Sequence, residues 1–492
     1  MRKARVFRLS AILLFLILLF VFKTPYLNLP VFSDEINYLH GVLAVYNNHL
    51  NPFVEFWSYK PPLFFVLVAL LFKIFGCSLI IARAAVLFFS FLLLYFTLLL
   101  GERLYDKETA IFASMLLFFS PFLFAQSGLF YCDILVAALT LATIYFFITD
   151  NKIGYFMAGT FLVLTKEPAI LVIISIAAYK LILGLLKTVK ENHIQRILFK
   201  IRILILGALF ILSPLLFFLI WMLINKLVFG WFLWQKNASF LTNFMTSFHT
   251  IKPAVRYIVE CAFLIHFRFL ITMAILSAVL ISLFRSETKK KFIKKEYLLF
   301  AILLFIAVVF FSGLSGKIYW PTPRYMLFFQ PLFFLVGTAS IIRLIRNRMA
   351  YILAFLIIIF LFIGCWHSEG IPLNGDLNLD YLTIVKDHKE VADFLEKNFS
   401  SEVIIATWPI NLNLTEPLLG YVTKPLKHIT DKLALFEEEK RQGLNAVIVI
   451  SEYYKYWTEE GKNIVEFKEN TKPKLLTKFS SGSEEISLYL LR

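Results

Sequence analysis

Two adjacent carboxylates, Asp34 and Glu35, lie in the segment PVFSDEINYLHGV (Pro30–Val42), directly after the first apolar run of the chain. Ser33 or Asp34 could simply cap a helix that begins here, because hydroxyl and acidic side chains favour a first helical turn. A carboxylate in this setting can also take the proton of a hydroxyl group, as a general base does. The choice between these roles depends on where the neighbouring apolar segments place the pair.

Further charged residues stand at the ends of later apolar runs. Asp133 heads the run in SGLFYCDILVAALT, and Lys60 precedes a stiff Pro-Pro start in YKPPLFF. Taken singly, Asp133 is typical of an N-cap, and basic residues at helix ends often snorkel to the membrane surface. Ionisable groups at membrane depth are costly and usually mark a site, so the whole set predicts one. The other members are Arg83, Lys166, Glu167 and Arg324, with His249 and Arg256 in a long loop that is a candidate substrate loop.

Carboxylates beside cations suit the transfer of a sugar from a polyprenyl phosphate. Lysine and arginine would hold the phosphate and stabilise its growing charge, while a carboxylate takes the proton of the attacking hydroxyl. Phosphate is already a good leaving group, so a second carboxylic acid is not required, unlike in glycoside hydrolysis. A single in-line displacement would invert the anomeric configuration. We predict no cofactor and no divalent metal, because the acids are spread over three loops.

The elements that must position these residues are membrane helices. A mean hydropathy of +0.76, 55 phenylalanines and only 17% charged residues are typical of polytopic membrane proteins. The net charge is +16, and the basic residues lie mostly in short loops between apolar runs, as the positive-inside rule expects. This distribution does not indicate a nucleic-acid partner. The four cysteines show no CxxC spacing, so neither a zinc site nor a disulfide framework is indicated.

Charge parity predicts about eleven spans. The N-terminal run lacks a small-residue cleavage site and is interpreted as an uncleaved first span with a cytoplasmic N-terminus. Residues 61–75 are short for a span, so we interpret them as interfacial or re-entrant. With that segment left out, nearly every basic cluster falls on one side of a plasma membrane. The acidic pair, in the outer loop 23–78, and everything after about His367 then lie outside.

The composition changes near His367, which divides the chain into a membrane domain (1–366) and an outer soluble domain (367–492). Within the second, DHKEVADFLEKNF predicts an amphipathic helix, and EVIIATW, NAVIVIS and EISLYLLR predict strands. A charged helical stretch is predicted at Asp431–Gln442. Alternating helices and strands predict a small α/β domain, which shows no Gly-rich phosphate loop.

The order of these motifs resembles a known family. Over roughly residues 1–345 the chain resembles the GT-C glycosyltransferases. The motifs that carry this resemblance are, in order, DE after the first span, KPPL, AR, SP followed by Asp, LTKEP and PRY…QP. The branch it resembles contains protein O-mannosyltransferases and lipid A aminoarabinose transferases. The resemblance implies a polytopic GT-C fold and a dolichyl- or undecaprenyl-phosphate sugar as donor.

The resemblance also implies residue roles. Lys166 falls on the lysine of the family motif TKGP, where Glu167 replaces the glycine. The implied catalytic residues are Asp34, Glu35 and Asp133, with Asp34 as the base. The implied contacts to the donor phosphate are Lys60, Arg83, Lys166, Arg324 and Tyr325.

Two other classes of protein fit the chain less well. A transporter or flippase of a lipid-linked sugar would carry polar groups deep in the bilayer and internal repeats, whereas these runs are almost uniformly apolar. A structural or sensor protein leaves the boundary cations unexplained. The sequence therefore favours an inverting glycosyltransferase with a protein, lipid or glycan acceptor, and it leaves the sugar and the acceptor open.

Overall fold

The computed structural model describes residues 2–54, 60–188, 194–232, 255–256, 259–265, 267–284, 299, 301–307, 323–345, 348–366, 377–430, 446–452, 454–455, 459–480 and 484–491. Up to residue 366 these residues form a bundle of apolar helices, and from residue 377 they form a mixed α/β part. The change predicted near His367 falls among residues that are not described, so the domain boundary stays a prediction.

The bundle is centred on two helices that pack against each other, α4 (Leu79–Leu104) and α7 (Asp133–Ile148). The Ser78 hydroxyl caps α4 by accepting a hydrogen bond from the backbone N–H of Ile81, which fixes where this span begins. The other helices of the bundle are α1 (Arg2–Lys23), α2 (Glu35–Asn47), α3 (Leu63–Phe75), α5 (Lys107–Phe118), α6 (Pro121–Gln126), α8 (Lys152–Val163), α9 (Ile170–Thr188), α10 (Ile194–Leu212), α11 (Leu215–Phe229), α12 (Arg268–Phe284), α13 (Gln330–Ile345) and α14 (Arg348–Gly364).

Two apolar runs that look continuous in the sequence are broken in the structure. The run between residues 108 and 125 forms α5 and α6, because Ser120 caps a new helix whose first residue is Pro121. The run between residues 202 and 225 forms α10 and α11, which meet at an angle of 48° where Pro214 interrupts the helix. Proline explains both breaks.

Within the described residues, four helices are long and apolar enough to cross a membrane, and the bent pair α10–α11 adds a fifth. Helix α3 has 13 residues and is therefore about 20 Å long, shorter than a hydrocarbon core of ~30 Å. Helix α8, which lies in a run predicted to cross, is equally short with 12 residues, so the interpretation of residues 61–75 as a segment that does not cross stays a prediction. The count of about eleven spans, and the side of each terminus, stay predictions. The four long helices are Arg5–Tyr26, Leu79–Leu104, Glu167–Leu186 and Arg324–Ile345.

The C-terminal part contains a five-stranded sheet in the order β2-β1-β3-β5-β4. Strand β1 runs parallel to β2 and β3, and β5 runs antiparallel to β3 and β4. Every residue of β1 and β3 is buried, as expected for central strands covered on both faces. The elements in chain order are α15 (Tyr381–Asn398), β1 (Val403–Ala406), α16 (Ile410–Thr415), β2 (Ile429–Thr430), β3 (Ala446–Ser451), α17 (Glu459–Thr471), β4 (Lys474–Phe479) and β5 (Ile486–Leu491).

The predicted helix in DHKEVADFLEKNF and the three predicted strands are confirmed as α15, β1, β3 and β5. The predicted helical stretch Asp431–Gln442 lies outside the described residues. One apolar core continues from the bundle into this part, and the rings of Phe32 and Tyr381 meet across the junction with centroids 5.6 Å apart.

Candidate active site

Asp34 stands at the N-cap position of α2, but its carboxylate does not cap the helix. It pairs instead with the guanidinium of Arg324, which the 3₁₀ segment Pro323–Phe329 carries in from far along the chain. The Asp34 side chain is 35% exposed, whereas Arg324 is 6% exposed. A buried arginine therefore holds a carboxylate that remains open to solvent.

The charges around Asp34 keep it ionised. Burial by itself would raise the pKa of Asp34, but Arg324 outweighs this effect, and Lys60 and Lys166 add to it, so the pKa is lowered. The carboxylate is thus in its basic form at neutral pH. An opposite charge in contact is the dominant physical cause of the shift.

A second acid, Asp133, forms a buried ion pair with Lys166. The Lys166 Nζ lies 2.6 Å from Asp133 Oδ1, and both side chains are 4% exposed. Asp133 Oδ2 also lies 3.9 Å from Arg324 Nε, so the two ion pairs join into one cluster. Burial opposes the charge of Lys166, but Asp133 raises the pKa of the lysine and keeps it protonated.

Aromatic rings line the cations of this cluster. The Lys166 Nζ lies 3.9 Å from the ring centroid of Tyr325, and the Arg324 guanidinium carbon lies 4.3 Å from that of Tyr131. Both distances are within the range of cation–π attraction. The neighbours Arg324 and Tyr325 therefore make different contacts. Arg324 joins the ion pairs, and the ring of Tyr325 covers the ammonium of Lys166.

Lys60 reaches the same region from the start of α3. Its Nζ donates a hydrogen bond of 2.8 Å to the hydroxyl of Tyr38 and lies 3.9 Å from the centroid of that ring. The backbone N–H of Leu63 donates to the carbonyl of Leu164 at 2.9 Å, which ties the start of α3 to the loop that carries Lys166. Two lysines from separate elements are therefore brought to one place.

Arg83 and Glu35 form a different, fully buried pair. The Arg83 Nη2 lies 3.1 Å from Glu35 Oε2, with side-chain exposures of 2% and 0%. Arg83 also donates to the carbonyls of Tyr26 at 2.7 Å and Pro30 at 3.0 Å. Glu35 accepts hydrogen bonds from the backbone N–H groups of Phe32, at 2.6 Å, and Phe130.

Burial raises the pKa of Glu35, against the opposing effects of Arg83 and the two backbone N–H groups. All these partners belong to the protein and the pair is closed to solvent. The pair therefore holds the loop in front of α2 in place. Asp34 and Glu35 are neighbours in sequence but differ in role, because Glu35 is enclosed in this pair whereas Asp34 is partly exposed.

The remaining candidates lie apart or outside the described residues. Arg256 pairs with Glu260, one turn later, at 2.7 Å and is 80% exposed, while His249 is not described. Their assignment to a substrate loop stays a prediction. Among the described residues no three His, Cys, Asp or Glu side chains form a group that could hold a metal ion, and the expected lack of a metal also stays a prediction.

Sequence reasoning missed two tyrosines of the site. Tyr38 follows the N-cap residue Asp34 by four residues, a spacing that places both on one side of the first turn of α2, and this spacing was a usable signal. Tyr131 precedes Asp133 by two residues in an irregular segment, where no periodicity indicates its direction.

Comparison with known proteins bears on this arrangement. Residues 59–221 match the family model of dolichyl-phosphate-mannose-protein mannosyltransferases. The structure is similar to that of ArnT from Cupriavidus metallidurans in the apo state, with a TM-score of 0.57, 14% identity and 97% of each chain covered. The same protein bound to undecaprenyl phosphate gives a TM-score of 0.59, with 14% identity and 97% of each chain covered. The chain has the GT-C fold.

An oligosaccharyltransferase from Archaeoglobus fulgidus, tethered with an acceptor peptide, shares the GT-C fold with a TM-score of 0.50 and 11% identity. That match covers 99% of this chain and 74% of the other. No curated protein matches the chain by sequence. The predicted resemblance to the GT-C superfamily is confirmed, and the apolar helices agree with a multi-pass membrane protein.

Proposed function

We propose that this GT-C protein is an inverting glycosyltransferase that moves a sugar from a polyprenyl-phosphate donor to an acceptor hydroxyl on the outer face of the membrane. The observation that carries the proposal is the position of Asp34, a half-exposed carboxylate held by Arg324 beside the buried Asp133–Lys166 pair. A base is open to an acceptor at the point where several cations converge. The ArnT structure bound to undecaprenyl phosphate supports the class of donor.

In the proposed reaction, the acceptor oxygen attacks the anomeric carbon from the face opposite the phosphate, and its proton passes to the Asp34 carboxylate. The bond between the anomeric carbon and the phosphate oxygen breaks, and the polyprenyl phosphate leaves with the bonding electrons. Because one displacement occurs, the anomeric configuration is inverted. The lowered pKa of Asp34 keeps it deprotonated until the hydroxyl gives up its proton.

The cations stabilise the departing phosphate. Lys60 is suited to direct contact, because an ammonium has three N–H donors and Tyr38 accepts one of them. Lys166 and Arg324 are each bound to an aspartate, which offsets part of their charge but fixes the position of their N–H groups, so these donors need little reorganisation. In this proposal Tyr325 orients Lys166 through its ring, and Arg83 with Glu35 positions the loop rather than the phosphate.

The test compares the wild-type protein with Asp34→Asn in membranes supplied with radiolabelled polyprenyl-phosphate hexoses. Asp380→Asn is a matched control, since Asp380 also occupies an N-cap position without a capping bond and is half-buried. We expect the wild type and Asp380→Asn to release sugar or transfer it to endogenous acceptors. Asp34→Asn should be slower by about 10²- to 10⁴-fold, the usual contribution of a general base.

The competing class is a transporter of a lipid-linked sugar. If the wild type and Asp34→Asn both carry the intact lipid-sugar across vesicles without breaking the sugar–phosphate bond, the transferase proposal fails. If Asp34→Asn keeps wild-type turnover, the transferase stands but Asp34 is not the base.

A further inference from the structure

The loop in front of Asp34 is bound by the C-terminal part of the chain. The backbone N–H of Val31 donates to the carbonyl of Leu419 at 2.9 Å. The carbonyl of Val31 accepts a hydrogen bond of 2.9 Å from the buried hydroxyl of Tyr421, a residue 390 positions away in sequence. Both polar backbone groups of Val31 are therefore satisfied from the C-terminal part. We call residues Leu419–Tyr421 the clamp.

The clamp depends on a glycine. Gly420 has a φ of +88°, a region that residues with a side chain rarely adopt. A Cβ atom at this position would lie 3.1 Å from the Cα of Pro30, so a larger residue would push against the loop backbone. Gly420 thus allows both the turn and the close approach of the two backbones.

The loop needs outside support because its own conformation is unfavourable. Ser33, the residue before Asp34, has a φ of +47°, in the left-handed region. A residue in such a conformation persists only where the surrounding structure holds it, and such residues cluster at active sites. The loop is held on both sides of Ser33 along the chain. The clamp binds Val31, two residues before it, and Arg83 binds Glu35, two residues after it.

A second contact lies beyond Asp34. His40 of α2 and Glu416, just before the clamp, are paired at 2.7 Å, and each side chain is 33% exposed. The C-terminal part therefore contacts the chain both before and after the proposed base.

We infer that the clamp is a positioning element for catalysis: Tyr421 holds Val31, and through it Ser33 and Asp34, in the geometry that presents the carboxylate to the acceptor. The inference rests on the proposed function, because it assumes that Asp34 is the base. According to this inference, the C-terminal part of the chain contributes to kcat by holding the proposed base in position. Lys60, Lys166 and Arg324 come from other elements, so we expect the clamp to act on the placement of the base more than on donor binding.

Tyr421→Phe tests the inference, because it removes the hydrogen bond to Val31 and keeps the ring. Tyr454→Phe is the matched control, since Tyr454 is also in the C-terminal part, is equally buried at 1% exposure, and packs beside the same His388. We expect Tyr421→Phe to lower kcat roughly three- to tenfold, about the contribution of one hydrogen bond, with an unchanged KM for the donor. Gly420→Ala should act in the same direction, and Tyr454→Phe should leave both constants within about twofold of wild type.

Hydrogen–deuterium exchange supplies a readout that does not require activity. The peptide that covers Pro30–Tyr38 should exchange faster in Tyr421→Phe than in wild type or Tyr454→Phe. Equal kcat in the two tyrosine variants, or a raised KM with unchanged kcat, overturns the positioning role. Unchanged exchange shows that the clamp does not hold the loop. If the wild type fails to release sugar while the exchange difference is present, the proposed function fails and the mechanical contact stands.

Discussion

The carboxylate of Asp34 and the guanidinium of Arg324 form an ion pair although 290 residues separate them in the chain. The same guanidinium lies 3.9 Å from Asp133, which is itself bound to Lys166. One arginine thus sets the distance between the proposed base and the second acid. It also keeps Asp34 ionised, so its removal should change the dependence of activity on pH.

Arg324→Gln should move the acid limb of the pH profile to higher pH. The pKa of Asp34 is lowered because Arg324 outweighs burial, so wild-type activity should persist until the pH falls below the ordinary range of an aspartate. Without the arginine, burial remains and the pKa rises, so the base is lost at a higher pH. The measurement is kcat/KM against pH, with Arg324→Lys as the control that retains the charge. An acid limb that does not move in Arg324→Gln would contradict the assignment of Asp34 as the titrating base.

Lys166→Gln and Asp133→Asn should each destabilise the protein more than the double substitution does. Both side chains are 4% exposed, so either single change leaves a buried charge without its nearest partner, at a cost of up to about 3–5 kcal/mol. The double variant removes both charges and should recover part of that stability, although not the activity. Thermal unfolding in detergent measures the effect. Single losses that simply add up in the double variant would show that the two residues do not interact.

Lys60→Gln should weaken donor binding and leave stability nearly unchanged. Lys60 is half-buried at the start of α3, and its ammonium has donors beyond the one that Tyr38 accepts. Loss of a charged hydrogen bond to phosphate should raise the KM for the donor about tenfold or more. Lys73→Gln is the control, because Lys73 lies at the other end of α3, with its Nζ 4.5 Å from the ring centroid of Tyr46. Equal KM values in the two variants would remove Lys60 from the donor site.

Cys77 should react with a membrane-impermeant maleimide in intact cells. It is exposed, at the end of the predicted outer loop 23–78, whereas Cys132 and Cys365 are buried. Labelling that disappears in Cys77→Ser and does not need permeabilisation places the loop outside. Labelling of Cys77 only after permeabilisation would put the loop on the cytoplasmic side and invert the predicted topology.

Much of the site could be predicted from the sequence because its residues stand at the ends of apolar runs. Lys60 before Pro61–Pro62 and Asp133 at the head of α7 are conspicuous as charges at a membrane boundary, and their order along the chain indicates the GT-C superfamily. The strands β1, β3 and β5 were predictable for a similar reason, since buried strands show as short apolar runs.

The partners of these charges could not be predicted. Asp34 and Glu35 are adjacent in sequence, yet Arg324 binds the first and Arg83 binds the second. Successive residues at a helix start point in directions about 100° apart, so only the surrounding elements decide which cation each one meets. The same limit applies to Val31, whose partners Leu419 and Tyr421 lie in the C-terminal part.

The sequence by itself determined that most of the chain is buried in lipid or protein, because its runs are apolar. It also determined which charged residues are available for chemistry, namely the few that stand at the ends of those runs. Those properties follow from composition and local order, because hydrophobic burial and helix periodicity act over short stretches of chain. Only the tertiary structure decided that Asp34 pairs with Arg324 and stays partly exposed to solvent, while Glu35 is buried with Arg83. Ion pairing depends on distance in space, and helices far apart in sequence set that distance when they pack.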